Sequence, residues 1–440
     1  MDLKYPVSTI DDMYHACDPD KPLYAAHDER YRDLSTVRGQ RKSWINNIAR
    51  NISRNQQVGK HFSMLFSGHR GSGKTTELYQ LKNKLEADKF FVVYLDIENI
   101  LDMNDIEYQD VLLNVANALF LAMEEKNWQL NDDLLENLSD WFADKIVEQD
   151  RKTSLEAELK SEAEAGLKTF FGGLLIKLTT ALKVSSTQRE VIRKNIERNL
   201  SVFKSHLQRL ITDSRQKIQK AGFVDLVIIV DGLEKLLYVH DKERQHNNHY
   251  ELFILHAEQL KWVNSHIIYT VPITLASQTN LKTEFSEMLV MPMVKVSSEE
   301  GKEALCDLIA RRIKIEAVFE NKAYVDELII LSGGAIRDLM ILLRNVTETD
   351  GDKIVQDDIQ YAKQALIKFY SRQLITLTEA DKQVLQAIHR KQPNEHSDSY
   401  ARLTNNRIIL EYENGELWQA LHPAVLKIET IQTLLNANSA

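Results

Sequence analysis

Positions 68 to 75 read Gly68-His69-Arg70-Gly71-Ser72-Gly73-Lys74-Thr75, the pattern GxxxxGK[ST] without a gap. Glycines at this spacing let the backbone wrap an anion with its N–H groups turned inward, where a side chain would obstruct the approach. The lysine reaches the β- and γ-phosphates of a nucleoside triphosphate, and the adjoining Thr75 hydroxyl offers an oxygen to Mg²⁺. This chemistry needs a strand before the loop and a helix after it, so that the helix N-terminus faces the phosphates. Both are legible, as Met64-Leu65-Phe66 ahead of the loop and Thr76-Glu77-Leu78-Tyr79-Gln80-Leu81 behind it. The expected nucleotide contacts run from Gly68 to Thr76, with Lys74 acting on the transferring phosphate and ATP·Mg²⁺ as the implied ligand.

A second constellation is Leu226-Val227-Ile228-Ile229-Val230-Asp231, an apolar run closed by an acid. A strand buried on both faces leaves Asp231 at the C-terminal edge of the sheet, where its carboxylate holds the Mg²⁺ shell beside Thr75. Glu234 is the next carboxylate and is placed to orient an attacking water, unless it is a helix-start residue on the surface. Ile267-Ile268-Tyr269-Thr270-Val271 brings a hydroxyl to the same edge if its strand lies between the other two. Thr270 is then a polar sensor of the γ-phosphate, and otherwise an ordinary strand threonine. Gly333-Gly334-Ala335-Ile336-Arg337 starts a helix with an arginine that either reaches back to the nucleotide or is solvated.

These residues need a sheet to carry them. Five β-like runs, His61–Ser67, Lys89–Asp96, Leu226–Asp231, His266–Val271 and Leu289–Val296, alternate with helical material, the pattern of a parallel sheet covered by helices. The interval from Asp102 to Gly222 is too long for one crossover and carries no strand, so it is expected to be a helical insertion. Its charge is segregated: Asp132 to Glu164 holds 11 acidic and 4 basic residues, and Lys177 to Lys220 holds 11 basic and 3 acidic ones. Two helices of opposite charge lying against each other or simply solvated fit that pattern, and so does a basic arm for nucleic acid, DNA included, or for an acidic partner. Ser297 to Ile367 reads as all-helical. Beyond it, Glu379–Arg390 and Tyr400–Thr404 read as helices, and Arg407–Tyr412 and Glu416–Leu421 as a hairpin around Asn414-Gly415.

Composition narrows the classes. The chain has 440 residues, 43% hydrophobic and 27% charged, with Gly 15 and Pro 7, which predicts several helix-rich domains rather than disorder. Two cysteines, far apart, indicate neither a disulfide framework nor a thiolate zinc site. The first residues do not read as a secretory signal, and the longest apolar stretch, Thr169 to Ile176, is too short to span a bilayer, so a soluble, cytoplasmic protein is expected. Phe170-Phe171-Gly172-Gly173 could dip into a membrane interface, or pack inside the insertion. His240, His246, His249 and His256 match no metal-ligand spacing and read as a polar loop. From Tyr370 to Ala440, 7 basic residues face 8 acidic ones, which favours protein contact or an autoinhibitory lock over DNA binding.

Taken together, the set resembles AAA+ and STAND-type P-loop ATPases, in the branch of the origin-recognition ATPases. The likeness rests on Arg38-Gly39-Gln40, the Gly68–Thr75 loop, Asp231-Gly232-Leu233-Glu234, Thr270, the GG-x-x-R of Gly333 to Arg337 and a winged-helix-like end. It implies an α/β P-loop core with strand order 5-1-4-3-2 and Arg38 among the nucleotide contacts. It also implies a lid closing through Arg337, and a homo-oligomer in the ATP state. The expected division is an N-terminal helical segment to residue 60, the ATPase core at 61–296, a helical lid at 297–367 and a winged-helix-like domain at 368–440. The resemblance points to a switch acting on a separate protein effector, with relatives in bacterial antiviral defence. A DNA loader or remodeller and a scaffold with negligible turnover are the alternatives. Gly232 stands where such ATPases usually carry a catalytic Glu, and Arg311 and Arg312 are candidates for an arginine finger.

Overall fold

The computed structural model describes residues 3–145, 167–241, 246–277, 284–392, 397–413 and 416–437. The rest of the acidic run beyond Lys145, and the Asn414-Gly415 turn, lie outside the described residues.

Five parallel strands form the central sheet: β1 (Ser63–Gly68), β2 (Phe91–Asp96), β3 (Leu226–Asp231), β4 (His266–Val271) and β5 (Glu287–Met291). Their order is β2-β3-β4-β1-β5, which is the expected 5-1-4-3-2. Every residue of β3 and β4 is buried, because parallel strands are covered on both faces and only continuous apolar runs tolerate that. Alternate side chains feed two cores: Leu65, Val93, Leu95, Ile228 and Val230 face the insertion, while Met64, Phe66, Val92, Ile229 and Ile268 face the helix after the loop.

The last strand departs from expectation. It ends at Met291 because Pro292 has no N–H to continue the ladder. The following Met293 N–H donates instead to Glu411 O at 2.9 Å, so the run expected to extend the sheet binds the C-terminal hairpin.

Helices α1 (Ile10–Ala16) and α2 (Trp44–Gln57) flank an extended N-terminal run, which lies on α3 (Lys74–Ala87): Leu23 N–H donates to Thr76 Oγ1 and Gln80 to Ala25 O. The insertion comprises α4 (Tyr108–Glu125), α5 (Asp132–Lys145), α6 (Leu167–Val184), α7 (Ser186–Arg198) and α8 (Leu200–Lys220). Phe171, Leu174 and Leu175 of α6 are buried against α4, so its glycine pair serves packing: a Cβ on Gly172 would stand 2.8 Å from the Phe120 ring. Among the described residues no helix is long and apolar enough to cross a membrane.

The basic helices are not uniformly solvated. Arg189 and Arg193 of α7 are buried and paired with Asp102, Asp105, Glu107 and Asp110 at the start of α4. Lys194 and Arg198 remain exposed.

After the sheet come α9 (Glu299–Ala310), α10 (Ala323–Leu331), α11 (Ile336–Asn345) and α12 (Gln356–Gln373), the last running through the expected boundary at 367. The C-terminal module contains α13 (Glu379–His389), α14 (Asp398–Asn405), the antiparallel pair β6 (Ile409–Glu413) and β7 (Leu417–Leu421), and α15 (Glu429–Asn436). One apolar cluster joins this module, the helices before it and the N-terminal Val7 and Met13.

Candidate functional site

Sheet register assembles the site. Asp96 pairs with Asp231, Phe66 with Thr270 and Gly68 with Met291, so the ends of all five strands converge on the loop that follows β1. β4 lies between β1 and β3, the position that the Thr270 reading requires.

Within the loop, Gly71 and Gly73 take positive φ of 75° and 100°, a conformation that side chains disfavour. Gly71 is also constrained from outside: a Cβ there would lie 2.5 Å from Arg337 Cβ, whose N–H donates to Gly71 O at 2.9 Å. Lys74 Nζ is buried and donates to Gly68 O at 2.9 Å and His69 O at 3.0 Å. Burial lowers its pKa, opposed by Glu234 and Asp231.

The two acids behave differently. Burial, then the neighbouring Glu234 charge, raises Asp231 above the usual carboxylate range, against hydrogen bonds from Tyr94 and Thr75. Burial pushes Glu234 up most strongly, but the Lys74 ammonium, with Nζ 3.6 Å from Oε1, acts with the Thr270 hydroxyl, the backbone and Lys235 to bring the net direction down. Glu234 is buried, which removes the reading of a surface helix-start residue. Thr270 is also buried, near enough for its hydroxyl to favour the ionised Glu234, yet its Oγ1 makes no hydrogen bond of good geometry.

The other expected contacts divide. Arg38 is buried beneath the loop and donates to Ser72 O at 2.6 Å, so it braces the loop through its backbone. Next to it Glu77 is pushed by burial to about 7, with the Arg38 charge opposing. Arg70 donates to Lys235 O at 2.7 Å, tying the loop to the turn after β3. The Thr76 hydroxyl accepts from Leu23 N–H and faces the N-terminal segment. His69 leaves the loop altogether: its Nε2 accepts the Glu411 N–H of β6 at 2.8 Å. Burial, then the Lys74 charge, holds its pKa down at about 3, so the ring is neutral. Arg337 stays part-exposed, and its guanidinium pairs with the exposed Asp20 of the N-terminal run.

Three partners escaped sequence reading: Tyr94, Asp20 and Glu411. Each is distant in sequence from the residue it touches, and only strand register or module packing brings it close. As for the arginine-finger candidates, Arg312 is buried on Arg30 O and Leu308 O, and Arg311 is held by Asp307 and Tyr31 O. Both touch the N-terminal segment, Arg312 from a buried position and Arg311 from a part-exposed one. His249 is buried with Nε2 3.0 Å from Leu236 O. The side chains of His240 and His246 lie outside the described residues. Among the described residues no group of three or more His, Cys, Asp or Glu is arranged to hold a metal.

The site fits ATP·Mg²⁺ on its own geometry. Buried Ser72 Oγ and Glu234 Oε2 have no hydrogen-bond partner at the mouth of a loop whose glycines hold it open, and α3 points its N-terminus there. Thr75, at the start of α3, and Asp231, at the end of β3, would hold the cation.

Strand order, loop and edge carboxylate define a P-loop nucleotide-binding core with helical insertions. No family profile matches the chain, and neither does any curated protein. Solved structures similar to it include a Drosophila ORC chain from a DNA-bound structure, at 11% identity and TM-score 0.45, covering 99% of this chain and 94% of that one. A Walker-type ATPase of Pyrococcus abyssi is similar at 13% identity and TM-score 0.42, covering 96% and 99%. The Aeropyrum pernix Orc1 protein, solved with DNA, is similar at 12% identity and TM-score 0.41, covering 97% and 96%.

Proposed function

We propose that this protein is an ATP-driven switch of the AAA+ kind, which binds and hydrolyses ATP slowly and passes the state of its phosphate loop to a partner protein through the C-terminal module. One observation carries the reading: His69, inside the phosphate loop, is hydrogen-bonded to the backbone of β6 rather than turned to the phosphates. A loop that reshapes around an anion must move that ring, and a buried hydrogen bond resists moving unless its partner moves too.

Bound ATP·Mg²⁺ supplies the anion and the scissile γ-phosphate. Lys74 would exchange its two loop carbonyls for phosphate oxygens, and Arg337, whose N–H already holds Gly71 O, would turn its guanidinium from Asp20 to the same anion. Freed from Lys74, Glu234 is placed to orient water beside Thr270. A homo-oligomer in the ATP state follows if the released surface is self-complementary.

The DNA-loader reading loses Arg193 from its basic arm, because that side chain is buried and committed to the buried Asp110 and to Asp105 and Glu107. The decisive measurement is amide hydrogen exchange across 398–421 with and without ATP and Mg²⁺, beside a fluorescent-nucleotide binding titration. Exchange at Glu411 should rise on binding in the wild type, and Lys74→Ala should abolish both responses. Nucleotide binding without any change in exchange would sink the switch. DNA-stimulated turnover would move the function to a DNA-acting motor.

A further inference from the structure

Asp231 is held by more than the loop it serves. Building on the nucleotide-site reading, we propose that Tyr94 is a positioning residue that fixes the Asp231 carboxylate for Mg²⁺.

Tyr94 lies on β2, opposite Ile229 of β3. Its hydroxyl donates to Asp231 Oδ2 at 2.7 Å, and the Gly232 N–H donates to Oδ1 at 2.9 Å. The two carboxylate oxygens are therefore gripped from separate elements, which stops the group from rotating. Each oxygen keeps a lone pair for Thr75 or for a metal-bound water.

The tyrosine ring is itself fixed. It stacks on Tyr79 with centroids 4.3 Å apart and planes 19° apart, and Tyr79 meets Tyr24 edge-on at 4.5 Å. Tyr79 sits one helical turn after Thr75 on α3. The stack thus sets the carboxylate of β3 at a defined place relative to the helix that carries the threonine, so the two groups expected to share one cation are aligned through a pair of rings. Groups that orient a metal's ligands typically contribute about 10- to 100-fold in metal affinity.

The test uses the full chain and a fluorescent, non-hydrolysable ATP analogue, titrated with Mg²⁺ and separately in EDTA. Tyr94→Phe keeps the stack and removes only the donor. Its Mg²⁺ midpoint should rise about tenfold while its affinity in EDTA and its melting temperature stay as in wild type. Tyr79→Leu should shift the midpoint the same way by less, and it carries the test if Tyr94→Phe does not fold. An unchanged midpoint in the folded variants, or an equal loss of affinity with and without Mg²⁺, overturns the proposal. Asp231→Asn and Lys74→Ala separate the two levels. If Asp231→Asn raises the Mg²⁺ requirement and Tyr94→Phe does not, only the role of Tyr94 falls. If wild type and Lys74→Ala bind the analogue equally, the nucleotide site itself is wrong, and the proposal with it.

Discussion

Gly232 sets the geometry of Glu234, the residue proposed to orient the attacking water. It follows Asp231 with φ at +93°, and a Cβ there would lie 3.1 Å from Glu98 N and 3.3 Å from Asp96 Oδ1. A glutamate at that position would be strained, so the carboxylate is supplied two residues later, on the helical turn Leu233–Lys235 that swings Glu234 under Lys74. If Glu234 orients the attacking water, Glu234→Gln should lower ATP turnover by about 100-fold or more. Nucleotide affinity should stay near wild type, and single-turnover hydrolysis with a parallel binding titration checks both. Equal turnover in the two proteins would leave the base to be found elsewhere.

Among the elements, α7 distinguishes charge that serves the fold from charge that faces solvent. Arg193 reaches Asp105 at 2.8 Å and Glu107 at 3.0 Å and also pairs with the buried Asp110. Burial raises the Asp110 pKa, and the arginine opposes that rise. Removing the cation strands a buried carboxylate, so Arg193→Ala should destabilise the protein by about 3–5 kcal/mol. Lys194→Glu and Arg198→Glu, on the exposed side of the same helix, should stay within about 0.5 kcal/mol. Thermal melts of the three variants test this, and equal losses would contradict it. A run of basic residues in sequence does not distinguish the two groups, because their acidic partners lie some eighty positions earlier. The elements themselves were legible: β3 and β4 match their expected bounds, since apolar runs of that length have no other soluble use. Boundaries shifted where a single residue decided them, as Pro292 did for β5.

For the whole molecule, the same packing that joins the parts creates an acid sensitivity. Burial holds His69 at about 3, and His249 and His266 at about 4, well below the 6.5 of an exposed imidazole. The unfolded chain takes up protons on these rings below pH 6.5 and the folded one does not. Stability is therefore complete above pH 6.5 and falls as pH drops toward 4, by up to about 1.4 kcal/mol per pH unit for each ring. Urea unfolding at pH 7, 6 and 5 should show the decline, and His69→Gln should flatten it by one ring's share. A variant with the wild-type slope would show that His69 is protonated in the folded state.

Sequence by itself determined the phosphate loop, the acid-tipped strand, the sheet they require and the helical insertion. Those features are local: glycine spacing and apolar periodicity act within a few residues. What only the tertiary structure decided is where the loop's side chains go. Arg38 braces a carbonyl, Thr76 serves the N-terminal segment and His69 enters β6, while Tyr94 and Asp20 arrive from segments far away in the chain. The physical reason is that a hydrogen bond depends on position in space, and position across 34 to 342 residues of chain is set by packing, which no spacing in the sequence records.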